Sequence, residues 1–364
     1  MDRFAFMIHP IERSDVTRKF KSFKYLPDKV MDKIIYYLPP LKVSEITGVK
    51  SRKTGIEVVG NFVGCPLTSK QMLELPTEIV LRKIIKTGRL AEKLGAQVLG
   101  LGAMTSVVGD AGITVADNLN IPVTTGNSYT IATAIEGTQK AAEMLGKNLK
   151  TSEVVILGAN GSIGSVCAQI MARKCSYLTL VSRDIKKLEQ LAVKILRETG
   201  LAVKLASQPQ KALKTADIII TVTSSVDCII NPEDLKSGSL VCDVARPRDV
   251  SKKVVELRDD VLVIEGGLVE VPGDVNFNFN FGYPSNLALA CMAETMVLAL
   301  EKKWSSFTLG RDITVKQVDE IHKLAVKHGF KLAGLRSFER LVMPEVIERV
   351  KYFSMQNSKE AAQF

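Results

Sequence analysis

Short apolar runs alternate with amphipathic stretches along this chain, and the two periods predict strands and helices in turn. Phe4–Ile8 reads as a first strand, followed by helical spacing through Asp15–Lys24 and Pro27–Tyr37 and by strands Ser44–Val49 and Gly55–Val63. From Thr77 to Leu94, Ile79, Val80, Leu81, Ile84, Ile85 and Leu90 fall on one helical stripe, and Gln97–Gly102 then reads as a strand and turn. The strand signal of Ile121–Thr125 gives way to turn residues, and Ser128–Leu145 returns to helical spacing.

The second half is more regular. Val154–Leu157 is an apolar run that breaks into Gly158, Gly161 and Gly164 and continues as a helix, after which Tyr177–Val181 reads as the next strand. Further strands are expected at Ala202–Ala206, Ile218–Thr223, Leu240–Ala245 and Val261–Ile264. The predicted fold is α/β: an N-terminal α/β substrate domain (1–125), a Rossmann-type doubly wound parallel sheet with a crossing helix (126–283), and C-terminal helices (284–364) expected to pack on both domains.

The glycine spacing is a dinucleotide fingerprint. Gly158 permits the turn, Gly161 lets backbone N–H groups approach a pyrophosphate, and Gly164 allows close packing of helix on strand; Ala159, Asn160, Ser162 and Ile163 complete the loop. After the second strand stands Ser182-Arg183, where an NAD-specific site usually carries an acidic residue. A hydroxyl and a guanidinium suit a 2′-phosphate, so NADPH is the expected cofactor, although Asp184 follows directly and a surface arginine opening helix Ile185–Thr199 is the alternative. Ligands in such sheets lie beyond the strand carboxyl ends, which brings forward Thr223 and Ser224, and behind them Ala245-Arg246-Pro247 and Glu265-Gly266-Gly267.

Composition narrows the rest. The 364 residues suffice for two cores. No apolar stretch reaches membrane-spanning length and no signal peptide is evident, so a cytoplasmic protein is expected. Six scattered cysteines and three histidines give neither a disulfide framework nor a metal cluster. The net charge of +10 comes without a nucleic-acid motif. Residues 1–125 carry 18 basic against 12 acidic residues, including Arg82, Lys83, Lys86, Arg89 and Lys93, an excess that suits either a solvated helical face or an acidic partner.

After a loop rich in Asn and Phe (Gly273–Tyr283), Pro284-Ser285-Asn286 is expected to open a helix, Leu287–Glu301, with Cys291 in its second turn and Glu294 on the same side. A free cysteine there reads as a small buried hydrophobe or as a nucleophile. The run Pro284–Met296, with Phe307-Thr308-Leu309-Gly310-Arg311, His328-Gly329-Phe330, Phe4–His9, Leu101–Ser106, Thr125–Thr130 and the glycine fingerprint in the same order, resembles the long-chain acyl-[acyl-carrier-protein] reductases. The resemblance covers most of residues 1–330 and implies a fatty aldehyde-forming enzyme. It implies that Cys291 takes the acyl group from acyl-carrier protein or acyl-CoA, that NADPH reduces the acyl-cysteine, and that the thiolate is regenerated as aldehyde leaves. Thr105, Ser106, Gly126, Asn127 and Ser128 become candidate substrate residues, the positive first domain a docking face for an acidic carrier, and an aldehyde-consuming enzyme a candidate partner.

The spacing leaves open how Cys291 is activated and whether Glu294 relays a proton, caps a helix or forms a salt bridge. Lys331–Phe364 runs past the family's usual end. Two rivals stand: a shikimate- or amino-acid-type dehydrogenase acting directly on a small substrate, for which no convincing Lys–Asp pair is found in the Gly126–Thr130 region, and a non-catalytic NADP(H)-binding sensor.

Overall fold

The computed structural model describes residues 1–10, 15–17, 26–223, 225, 227–245, 247–338 and 340–361. Most of the helix expected at Asp15–Lys24, together with Ser224 and Arg246, lies outside them. The chain forms two compact units. Unit one comprises Met1–Tyr129, Glu270–Asp312 and Glu320–Lys331; unit two comprises Thr130–Val269, Ile313–Asp319 and Leu332–Phe364.

Unit one is built on a five-stranded sheet. β1 (Arg3–Ile8), β2 (Leu41–Lys50), β3 (Glu57–Gly64), β4 (Leu99–Leu101) and β5 (Val123–Thr124) lie in the order β2-β3-β1-β4-β5. All neighbours are parallel except β2–β3. The period of two sends Ala5, Met7, Leu99 and Leu101 to one face, where they pack with Val80, Ile84 and Ala91 of α1 (Thr77–Lys93). Phe6 and Gly100 point to the other, against α5 (Ala290–Leu300).

Unit two has six parallel strands: β6 (Glu153–Leu157), β7 (Tyr177–Val181), β8 (Lys204–Ala206), β9 (Ile218–Thr221), β10 (Leu240–Asp243) and β11 (Leu262–Glu265). Their order is β11-β10-β9-β6-β7-β8. Chain order reverses between β6 and β9, so the crevice that holds dinucleotides in this topology opens at the carboxyl ends of those strands. The Rossmann-type α/β expectation is met. Helix α2 (Asn127–Met144) begins in unit one and continues in unit two; α3 (Ser162–Ala172) and α4 (Ile185–Thr199) connect β6, β7 and β8.

Two helix starts differ from the sequence reading by more than one residue. Gly161, in extended conformation, is the N-cap of α3, so the helix starts at Ser162, before Gly164 rather than after it. Leu287–Leu289 is a short strand, and α5 starts at Ala290 rather than Leu287. An unbroken apolar run suits either conformation, and the choice between them is made by non-local pairing.

Candidate functional site

Within unit two, Gly158 follows β6 at φ +86° and packs against the chain leaving β9: a Cβ on it would lie 2.7 Å from the Val222 carbonyl oxygen. A Cβ on Gly164 would lie 2.2 Å from the Gly158 oxygen, which is the close helix–strand approach read from the spacing. No side chain caps α3, so its N-terminal backbone donors are directed to whatever sits over the loop. A glycine cradle at a helix N-terminus is the donor set that a pyrophosphate requires, and the residues present fit a nicotinamide dinucleotide. Asn160 supports the loop by donating its Nδ2 hydrogen to the Asp184 carbonyl at 2.7 Å.

At the end of β7, Ser182 is half-buried and Arg183 exposed. The Asp184 carboxylate accepts from Lys187 N at 3.2 Å, as the N-cap of α4. Its charge therefore serves the helix end, and Arg183 is the side chain presented to solvent beside the loop. Beyond β9, a residue missed in the sequence organises the turn. Buried Asp249 accepts from the Thr221 hydroxyl and from the Thr223 N–H at 2.9 Å, and its other oxygen accepts the Thr223 hydroxyl. Thr223 is locked against Gly158 in consequence.

The second cluster lies in unit one. Because α5 begins at Ala290, Cys291 occupies the first turn of the helix, where the N-terminal dipole stabilises negative charge. The turn after β5 presses on it: Gly126 has φ +75°, and a Cβ there would lie 2.3 Å from Cys291 Cα and 2.5 Å from Cys291 Cβ. Three residues on, Glu294 is fully buried. Its Oε1 accepts from Thr124 Oγ1 at 2.5 Å and Thr308 Oγ1 at 2.7 Å, and its Oε2 accepts from Tyr129 N at 2.9 Å. Gly126 N also donates to the carboxylate. Burial pushes the Glu294 carboxyl above the usual carboxylate range, and these donors pull against that rise. Glu294 thus caps the N-terminus of α2 from a neighbouring helix. Glu294→Gln places an amide against two backbone donors, and is expected to lower unfolding stability by roughly 1–3 kcal/mol in urea titration. An unchanged midpoint and slope would count against this role.

The candidate substrate residues divide. Gly126, Asn127 and Ser128 form the turn and first residues of α2, and the Ser128 hydroxyl lies 2.8 Å from Thr308 Oγ1. Thr105 and Ser106 are buried and spend their hydroxyls on their own turn, donating to the Gly102 and Ala103 carbonyls at 2.7 Å each. Thr124 and Thr308 were not singled out from sequence; an ordinary threonine carries no local signal of a distant carboxylate. Nor was His9, whose Nε2 accepts from Met104 N at 3.1 Å and whose Nδ1 faces the Pro10 carbonyl. Burial lowers His9 to about 4, so it is a neutral brace for the Ala103–Ser106 turn.

The cysteines are chemically distinct. Cys65, Cys167, Cys175 and Cys242 are buried, and burial raises Cys65 to about 12 and Cys175 to about 11. Cys228 is exposed, but partial burial and then the charges of Asp243, Asp249 and Asp227 raise its thiol. No cluster of metal-binding side chains occurs among the described residues, and no helix there is long and apolar enough to cross a membrane.

Known proteins resemble the chain in parts and along its length. The family model described as Shikimate / quinate 5-dehydrogenase matches residues 139–265, which lie inside unit two. Aminotransferase PigE of Serratia sp. (strain ATCC 39006) is 32% identical over 323 residues, 87% of this chain; the chain spans only 37% of that protein's length. Long-chain acyl-[acyl-carrier-protein] reductase of Synechococcus elongatus (strain ATCC 33912 / PCC 7942 / FACHB-805) is 27% identical over 312 residues, covering 82% of this chain and 89% of that protein. Glutamyl-tRNA reductase of Methanocaldococcus jannaschii is 30% identical over 128 residues, 35% of this chain and 30% of that protein. With the glycine cradle, these similarities support an NAD(P)-dependent oxidoreductase of Rossmann type.

Proposed function

We propose that the chain reduces an acyl thioester to an aldehyde, with Cys291 carrying the acyl group and NADPH as reductant. The observation that carries this reading is the placement of Cys291: a half-buried cysteine in the first turn of α5, backed by a glycine turn that admits no side chain. The lengthwise similarity to a reductase of carrier-linked long acyl chains supports it, whereas the Shikimate / quinate 5-dehydrogenase match falls on the dinucleotide unit alone and bears on no substrate.

The Cys291 thiolate attacks the thioester carbonyl; the new S–C bond replaces the bond to the carrier sulfur, which leaves as a thiol on gaining a proton. The dipole of α5 stabilises the thiolate before attack and after aldehyde leaves. Glu294 holds the Gly126 turn and α5 together through that cycle. Gly158–Gly164 would hold the cofactor pyrophosphate and Arg183 the 2′-phosphate; NADPH, when bound, supplies the hydride that brings the acyl carbon to the aldehyde level.

Incubation with acyl-carrier-protein and acyl-CoA thioesters of several lengths without NADPH is expected to give an acyl adduct in the intact mass. Absence of an adduct at every length, with turnover of a small hydroxy or amino acid, would overturn the proposal. The Arg183→Ala variant is expected to bind NADPH roughly 10- to 100-fold more weakly by fluorescence titration while NADH binding stays the same. Equal losses for both cofactors would show that Arg183 does not read the 2′-phosphate.

A further inference from the structure

Two of the basic residues of α1 line a cavity. In unit one a space of about 290 Å³ opens where β3 ends and β2 begins: Leu41 pairs with Gly64 there, and the flanking Pro39, Pro40 and Pro66 form part of its wall. Open α/β sheets take ligands beyond the carboxyl ends of their strands, and proline rings with fixed φ give such a wall its shape before anything binds. Tyr36 and Tyr37, which end the helix Asp28–Tyr37, also line it, with rings 5.0 Å apart and nearly perpendicular. Tyr37 is largely exposed.

Lys83 and Lys86 of α1 supply the charge. Lys83 Nζ donates to the Tyr36 carbonyl and lies 4.7 Å from the centre of the Tyr36 ring, so one of its three hydrogens serves the end of a helix with no basic residue in its own last turn. Lys86, three residues on, is exposed and lines the same cavity. Burial lowers the Lys83 ammonium from its ordinary value; the Lys86 charge acts in the same direction and Cys65 against it. None of the residues that line the cavity is acidic. Capping accounts for Lys83 but not for a second ammonium one turn away, since like charges at that spacing repel unless an anion joins them.

We propose that this cavity binds a nucleoside monophosphate, with the phosphate held by Lys83 and Lys86 and the base against the tyrosine and proline rings. A phosphate monoester carries about two negative charges at neutral pH, which matches two ammonium groups, and a flat base matches aromatic and proline surfaces. The volume, near the roughly 300 Å³ lower bound of ligand cavities, suits one nucleotide and not a dinucleotide. The glycine cradle lies in the other unit, so this site is separate from it, and the proposal does not depend on the reaction at Cys291.

Hydrogen–deuterium exchange of the full chain with adenosine 5′-monophosphate (AMP), read by mass spectrometry, tests the site and its location together. Peptides spanning 34–42 and 80–88 are expected to gain protection. In Lys86→Glu the AMP concentration that gives half of this protection is expected to rise about tenfold or more, and in Lys93→Glu to stay within about threefold of the parent. Lys93 is exposed, lies two turns further along α1 and does not line the cavity, so its variant makes the same change of charge without touching the site. Inorganic phosphate and adenosine, each a part of the ligand, are expected to protect these peptides only at concentrations about tenfold higher or more. No protection of 34–42 and 80–88 by millimolar AMP, equal weakening in the two variants, or inorganic phosphate acting at the same concentration as AMP overturns the proposal.

Discussion

Replacing Cys291 by alanine is expected to remove the acyl adduct and to lower NADPH-dependent aldehyde formation by roughly 10⁴-fold or more, as loss of a covalent nucleophile does elsewhere. The substitution is conservative for the fold. Alanine is the best helix former, and the backbone that meets Gly126 keeps its path. Dinucleotide binding should be unaffected, because the glycine cradle belongs to the other unit. Intact mass, NADPH absorbance and thermal unfolding check the three parts of this expectation. Peptide mapping adds a safeguard, since exposed Cys228 is the competing acceptor. An adduct that survives in Cys291→Ala and maps to Cys228 would move the nucleophile, and with it the proposed site.

Gly126→Ala is expected to cost substantial stability. Its φ of +75° is strained for an L side chain, at roughly 1–2 kcal/mol, and the added methyl would sit 2.3 Å from Cys291 Cα, where overpacking costs about 1–3 kcal/mol more. Neither neighbour yields easily: one is helical backbone, and the other is tied to Glu294 through Gly126 N and Tyr129 N. A loss of roughly 2–5 kcal/mol in urea unfolding is expected, with adduct formation falling even under conditions where the variant stays folded. Unfolding within about 0.5 kcal/mol of the parent would show that the turn relaxes freely and does not fix the Cys291 environment.

The order of strands and helices was legible because it rests on local periodicity: Tyr177–Val181 and Ile185–Thr199 have the bounds that their patterns predict. The glycine fingerprint was legible as a local motif, in which Gly164 answers the Gly158 carbonyl six residues back, whereas the neighbour that crowds Gly158, Val222, is supplied by the fold. Cys291 could be chosen from sequence, but its position in the helix could not. Leu287–Leu289 fits a helix by spacing and becomes a strand, and that moves Cys291 from the second turn to the first, where the helix dipole acts on it.

What the tertiary structure alone decided is the company these residues keep. Glu294 meets Thr124, Tyr129 and Thr308 across sequence separations of 170, 165 and 14 residues, and Asp249 reaches back to Thr221 and Thr223. Phe62 gathers rings from a segment more than two hundred residues later. Periodicity records which side of its own element a residue takes; it carries no information about which distant element will pack there. The sequence by itself therefore determined the α/β architecture, and it marked the glycine motif and Cys291 as candidates. Only folding decided that a glycine turn and a buried carboxylate are gathered around the helix that bears Cys291, because those contacts arise from long-range packing and the satisfaction of buried polar groups.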